Sequence, residues 1–173
     1  MKILIFGEGR IGRGFVTGLL SQNNAEITFF DYSNTLIKTM NDVKSYTIHV
    51  LGNEDKNITV SSYSAYSLDE RTAMENTWKN ADYIFTAVGG KNLAAVAKLI
   101  AETFKNTITE CSGYKNIVTC ENWINPAAEL QTNILENLTD DQKQLFSKYI
   151  GISEAVVMTT GTSAPDRKST RLN

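Results

Sequence analysis

The 173-residue chain is short of cysteine, proline and histidine, with two, two and one of them respectively. Cys111 and Cys120 have no metal-ligand spacing, and two cysteines without a secretory signal read as buried thiols more readily than as a disulfide. The lone His49 has no histidine partner, so no metal is expected. No apolar run approaches the ~18 residues of a membrane span, and the four apolar residues after Met1-Lys2 are too few for the core of a signal peptide. A cytoplasmic chain that does not engage a membrane is expected. The formal net charge of −2, with Lys and Arg scattered along the sequence, leaves no basic stripe for nucleic acid.

What is present begins at residue 2. Lys2-Ile3-Leu4-Ile5-Phe6 is a short apolar strand that runs directly into Gly7-Glu8-Gly9-Arg10-Ile11-Gly12 and then into helical periodicity. Strand, G-x-G-x-x-G and helix in that order open a dinucleotide-binding βαβ unit. Gly7 permits the tight turn, Gly9 lets backbone approach a pyrophosphate, and Gly12 lets the helix close on the strand. The free N–H groups and partial positive charge of the helix N-terminus then face the anion. An acidic residue is expected about 20 residues further on. Asp31 stands there, nineteen positions after Gly12, at the end of the strand Ile27–Phe30. A carboxylate at that place accepts hydrogen bonds from both adenosine ribose hydroxyls and repels a 2′-phosphate, which favours NAD over NADP. A glycine turn followed by an unrelated surface aspartate is the plainer reading.

The remaining pattern alternates between strand and helix, as in a parallel sheet covered on both faces. Helices are predicted over Ile11–Gln22, Thr35–Asp42, Glu70–Trp78 and Leu93–Phe104, the last capped by Asn92. Another runs from Pro126 to about Asn137. Thr139-Asp140-Asp141-Gln142 is a capping box for one more, ending near Ile150. Ser45–Val50 and Asn57–Ser61 alternate around Gly52-Asn53-Glu54-Asp55, which predicts an inserted β-hairpin. Tyr83–Thr86 and Asn116–Thr119 read as buried strands, and Ser153–Met158 as a sixth. The expected fold is α/β, a doubly wound, mainly parallel sheet of Rossmann type, with residues 1–165 as one domain.

Ligands of doubly wound sheets bind beyond the carboxyl ends of the strands. Gly7–Gly12, Thr86-Ala87-Val88-Gly89 and Cys120-Glu121-Asn122 converge there. Small residues after Phe85 let the chain pass close to a dinucleotide, and Asn122 offers a neutral donor and acceptor beside a carbonyl or ribose. Taken singly, Glu121 and Asn122 are ordinary loop residues.

Phe6-Gly7 through Gly12-Arg13-Gly14-Phe15, Ser45-Tyr46-Thr47-Ile48-His49-Val50, Thr86-Ala87-Val88-Gly89 and Cys120-Glu121-Asn122 together resemble the N-terminal domain of mannitol-1-phosphate 5-dehydrogenase and its mannitol dehydrogenase relatives. The likeness runs in order through nearly all of residues 1–157. It implies reversible hydride transfer between NAD and a polyol or polyol phosphate, without a metal. Combined with the strand-end argument, it gives as candidate cofactor contacts Phe6, Gly7, Gly9, Arg10, Ile11, Gly12, Asp31, Thr86, Ala87, Val88, Gly89, Glu121 and Asn122. Asn122 is also the one candidate catalytic residue, placed close to the reacting oxygen.

Two departures from the family pattern stand out. Glu8 replaces a small residue and Arg10 an Asn, which puts a carboxylate near the expected pyrophosphate. A compensating Glu8–Arg10 arrangement is expected, with Arg13 the other available cation. After the sixth strand, Val157-Met158-Thr159-Thr160-Gly161 stands where the phosphate-sugar enzymes carry Asp-Arg and a Pro, so the substrate is left open between mannitol, a phosphorylated polyol and a uronate-derived compound. The resemblance also implies a general-base lysine in a Lys-x-x-x-x-Asn-x-x-His motif on a helical C-terminal domain. That motif is absent from the sequence. Tyr46 and Asn41 stand three and eight residues before His49, which reads simply as a hairpin residue.

Asp166-Arg167-Lys168-Ser169-Thr170-Arg171-Leu172-Asn173 has no apolar period and resembles a translated sequencing-adapter oligonucleotide. Residues 166–173 are therefore expected to be a non-native or disordered tail, and the substrate domain to be missing from the chain. Two functional classes follow: the cofactor half of a polyol dehydrogenase, inactive by itself, or a free-standing NAD-binding module that senses redox state or binds a partner. Sugar-acid or hydroxyacid dehydrogenases with the same nucleotide fold are a third, weaker class. An apolar patch around the Asn122 cleft would favour the first, and a polar surface the second.

Overall fold

A computed structural model describes residues 1–50, 52–109 and 113–158. Cys111 and the 166–173 tail lie outside the described residues. A six-stranded sheet forms the centre, in the order β5-β2-β1-β6-β7-β8 with every neighbouring pair parallel. Its strands are β1 Lys2–Phe6, β2 Glu26–Asp31, β5 Tyr63–Ser67, β6 Tyr83–Thr86, β7 Lys115–Thr119 and β8 Ile150–Glu154. Among these six, chain order gives a 3-2-1-4-5-6 arrangement, the doubly wound Rossmann order with its switch point between β1 and β6. The antiparallel hairpin is there as well, β3 Tyr46–Ile48 against β4 Ile58–Val60.

The run Ile3-Leu4-Ile5-Phe6 is apolar throughout because both faces of β1 are covered. Leu4 and Phe6 point into one core with Ile84, Ile117, Trp78 and Phe104, while Ile3 and Ile5 point into the other with Ile27, Phe29, Val16 and Ile37. The first core is covered by α3 Arg71–Asn80, α4 Leu93–Thr107, α5 Pro126–Glu136 and α6 Asp140–Tyr149. The helix after β1 and α2 Asn34–Val43 cover the second. Pro126 occupies the first turn of α5, and the Thr139/Gln142 capping box opens α6 with both reciprocal bonds formed.

Four details differ from the sequence-based expectation. The helix predicted over Ile11–Gln22 is wider at its start, a π-helical run Arg10–Val16 that tightens into α1 Thr17–Leu20 and a 3-10 turn Ser21–Asn23. The widening follows the Thr17 hydroxyl and N–H, both of which donate to the Gly12 carbonyl five residues back. Strand β5 was not predicted, because Ser-rich Tyr63-Ser64-Ala65-Tyr66-Ser67 has a low intrinsic strand preference. Tertiary packing overrides that preference: Tyr66 stacks on Phe30 and Tyr63 meets Phe29 edge-on. The last strand lies at Ile150–Glu154 instead of Ser153–Met158, since α6 ends at Tyr149 and passes directly into the sheet. Asn92 does not cap α4; its side-chain amide donates to the Val88 carbonyl at 2.7 Å and braces the preceding loop.

Phe146 is the one buried residue of α6 and meets Phe104 edge-on at 5.1 Å between ring centroids. Truncating it by Phe146→Ala should cost roughly 3–5 kcal/mol, read from urea unfolding. The same experiment on Leu145→Ala, at an exposed neighbouring position, should show a change of at most about 1 kcal/mol.

Candidate functional site

The glycine turn leaves β1 at its carboxyl end. Gly7 has φ +98, and a Cβ there would lie 2.4 Å from the Ala87 carbonyl oxygen, so only glycine fits against the β6 loop. A Cβ at Gly12 would lie 2.0 Å from the Gly7 carbonyl oxygen. The first helical turn is thus pressed directly onto the strand end. Gly9 is the opposite case, with nothing within 4 Å of an added Cβ. It is the N-cap, has no side-chain cap, and no acidic residue occupies the first turn. The start of the helix therefore presents open backbone, as an anion cradle requires.

Asp31 closes β2 beside this turn and is largely buried. Its Oδ2 accepts the Glu8 N–H at 2.7 Å and its Oδ1 accepts the Ser33 N–H at 2.9 Å. Each carboxylate oxygen keeps a further lone pair. Thr86, Ala87, Val88 and Gly89 continue from β6, and the Ala87 N–H donates to the Phe6 carbonyl at 2.8 Å. Glu121, following β7, accepts from the Val88 and Gly89 N–H groups at 2.9 and 2.8 Å. Both oxygens of this candidate cofactor contact thus tie the two loops together. Asn122 is exposed next to it, and the Trp123 ring lies over Gly90 while its indole N–H donates to Glu129 at 2.8 Å. The Cys120 thiol is buried, and burial pushes it up to about 11, so it stays protonated.

The structure brings Phe6, the Gly7–Gly12 turn, Asp31, Thr86–Gly89, Glu121 and Asn122 to one end of the sheet. His49 lies away from them, exposed after β3 on the hairpin. The Glu8–Arg10 pairing is not formed. Glu8 turns inward, is fully buried, and neither carboxylate oxygen has a hydrogen-bond partner among the described residues. Arg10 stays exposed. The nearby cation is Arg13, whose Nε donates to the Glu8 carbonyl oxygen at 2.6 Å and whose guanidinium stands 6.0 Å from the Tyr46 ring centroid. The physical reason is reach. The Arg13 side chain folds back to the Glu8 backbone under the turn, whereas Arg10, at the first position of the helix, is exposed to solvent. Burial, reinforced by the Asp31 charge and partly offset by Arg13, raises the Glu8 carboxyl from about 4.5 to about 7.

Tyr46 was not singled out as a site residue. Its hydroxyl donates to the Arg13 carbonyl at 2.9 Å, so the hairpin braces the glycine helix. Its position in a strand of alternating polarity was legible; its contact across the fold was not.

Residues 1–168 match the family model described as the mannitol dehydrogenase Rossmann domain. The chain belongs to the mannitol dehydrogenase family. It is similar to mannitol-1-phosphate 5-dehydrogenase of Geobacillus stearothermophilus, 32% identical over 158 residues, which cover 91% of this chain and 41% of the relative. The corresponding enzyme of Bacillus pumilus is 33% identical over 158 residues, covering 91% and 42%. The chain thus spans about two fifths of the length of these relatives. Among solved structures it resembles D-sorbitol dehydrogenase in substrate-free form, with a TM-score of 0.64 at 9% identity, covering 86% of this chain and 40% of that one. Octopine dehydrogenase gives a TM-score of 0.60 at 12% identity, with 88% and 34% covered. These two show the fold alone. The family's cofactor is NAD, and this chain supplies the family's Rossmann domain. No helix among the described residues is long and apolar enough to cross a membrane.

The buried Glu8 carboxyl generates a pH dependence with a definite sign. Its folded value is raised, so the unfolded chain loses this proton first, and stability falls as pH rises from about 4.5 to about 7. Glu8→Gln removes that loss. Its stability advantage over the unsubstituted chain should grow by on the order of 2 to 3 kcal/mol between about pH 4.5 and pH 8, measured by urea unfolding at both values.

Proposed function

We propose that this chain forms the NAD-binding part of a polyol dehydrogenase acting on a mannitol-type sugar alcohol or its phosphate. The observation that carries the reading is the joining of three strand ends at one cleft: the open glycine turn, the Asp31 carboxylate held against it, and the Val88–Gly89 loop tethered by Glu121. NAD, when bound, supplies the hydride acceptor or donor. The uncapped backbone at Gly9–Gly12, with Phe6, Arg10 and Ile11 at its margin, receives the pyrophosphate. The free lone pairs of Asp31 accept the ribose hydroxyls. Thr86–Gly89 lines the path of the dinucleotide and Glu121 keeps that loop in place. Asn122 orients the carbinol or carbonyl oxygen of the substrate.

Proton transfer needs a base, and no described residue beside Asn122 offers one. We place that group outside residues 1–158, on the part of the longer relatives that this chain does not match. Trp123, Ile124, Val156 and Met158 are exposed after β7 and β8, at 43%, 83%, 81% and 91%. An apolar rim of this kind favours a domain that works against another part of its protein over a free-standing NAD-binding module.

Binding tests the reading directly. The purified chain should bind NADH, seen as a change in nicotinamide fluorescence, and Asp31→Asn should weaken that binding by roughly tenfold to a hundredfold, the loss of one or two charge-assisted hydrogen bonds. With fructose 6-phosphate added, the 173 residues by themselves should oxidise no NADH. Absence of NADH binding would overturn the proposal, and turnover would overturn the placement of the base.

A further inference from the structure

Glu8 is the least expected group in the site. It is a carboxylate between two glycines of a turn built to receive an anion, yet it is fully buried with both oxygens lacking a hydrogen-bond partner among the described residues. A buried acid normally finds donors or is replaced. The groups that face it are few: Asp31 from β2, Arg13 from the glycine helix, Tyr46 from β3 and Tyr63 from β5. Neither tyrosine hydroxyl serves it, because Tyr46 donates to the Arg13 carbonyl and Tyr63 to the Met40 carbonyl. Its own backbone N–H is bound to Asp31.

We propose that Glu8 is a specificity-determining residue of the dinucleotide site, a second carboxylate behind Asp31 that turns the site against a cofactor carrying a phosphate monoester on its adenosine ribose. This rests on the NAD reading above. Asp31 alone leaves a weakness. Arg13 stands in the same corner, and an arginine beside the ribose acceptor is the group that accommodates a 2′-phosphate. Glu8 removes it through its charge. The backbone carbonyl of residue 8 fixes the Arg13 Nε in place, and the ionised carboxylate offsets the guanidinium charge from inside the fold, where solvent screens little. A dianionic phosphate arriving at Asp31 then meets two carboxylates and one neutralised arginine. A ribose bearing only hydroxyls is uncharged and is affected far less. Because burial and Asp31 raise the Glu8 carboxyl to about 7, its contribution grows from acid to alkaline solution.

The experiment measures dissociation constants of NADH and NADPH for the chain and for Glu8→Gln at about pH 6 and about pH 8.5, with Glu8→Ala as a second variant of different shape. The NADPH phosphate also titrates near pH 6, identically for every protein, so the comparison between proteins isolates Glu8. At the alkaline value both substitutions should narrow the NADPH-to-NADH ratio of dissociation constants by roughly tenfold. At the acid value the unsubstituted chain and Glu8→Gln should converge. An unchanged ratio at both pH values would overturn the proposal, as would an equal loss of affinity for both dinucleotides, which marks Glu8 as a shaping residue only. If the unsubstituted chain binds neither dinucleotide, the NAD reading itself fails, a result distinct from an unchanged ratio.

Discussion

The contact between Gly12 and the Gly7 carbonyl sets the rest of the site. With 2.0 Å between that oxygen and the place a Cβ would occupy, the helix and the strand end are joined backbone to backbone with no side chain between them. The same corner reaches sideways on both flanks. The Gly7 N–H donates to the Phe30 carbonyl of β2 at 2.9 Å, and the Ala87 N–H on the β6 side donates to the Phe6 carbonyl at 2.8 Å. Three parallel strands therefore present their carboxyl ends at spacings fixed by one glycine corner, and the Asp31 bond to Glu8 closes it from above. A corner packed so tightly has no slack to absorb a methyl group.

That tightness explains the burial of Glu8. A side chain at position 8 has the cleft on one side and the hairpin, helix and β2 on the other, and the backbone bond to Asp31 holds its Cα at the bottom of the turn. The chain thus buries a titratable group beside another carboxylate, an arrangement that costs stability and that packing around the glycines sustains. Perturbed acids of this kind gather at functional sites. The carboxylate faces away from the open backbone of Gly9, so the anion cradle is left clear while its charge acts through the fold.

Local signals carried most of the architecture into the sequence. The glycine spacing with Asp31, the hairpin around Gly52, Pro126 and the Thr139 capping box each act within a few residues, and each lies where it was read. What escaped depends on contacts distant in sequence. Strand β5 exists because Tyr63 and Tyr66 find Phe29 and Phe30, and its serines gave no sign of that. Lys115 begins β7 although it is charged, because its ammonium donates to the Lys79 and Ala81 carbonyls at the end of α3, a favourable place for a cation. The cation next to Glu8 is hidden for a related reason: Arg10 is nearer in sequence, but it is Arg13 whose side chain folds back to the Glu8 backbone.

Glu121 shows how the cleft acquires polarity. Among backbone amides near the strand ends, those of Val88 and Gly89 are consumed by the Glu121 carboxylate, while those at the start of the glycine helix have no side-chain cap. Free donors therefore remain on one side of the switch point and a bound carboxylate occupies the other. On the NAD reading proposed above, the pyrophosphate lies over the glycine turn, where backbone donors are left without a side-chain cap, and the nicotinamide end lies towards Glu121 and Asn122. On that reading the β7 loop contributes orientation without a direct bond to phosphate, because Glu121 occupies the Val88 and Gly89 amides that would otherwise compete with the glycine turn for an anion.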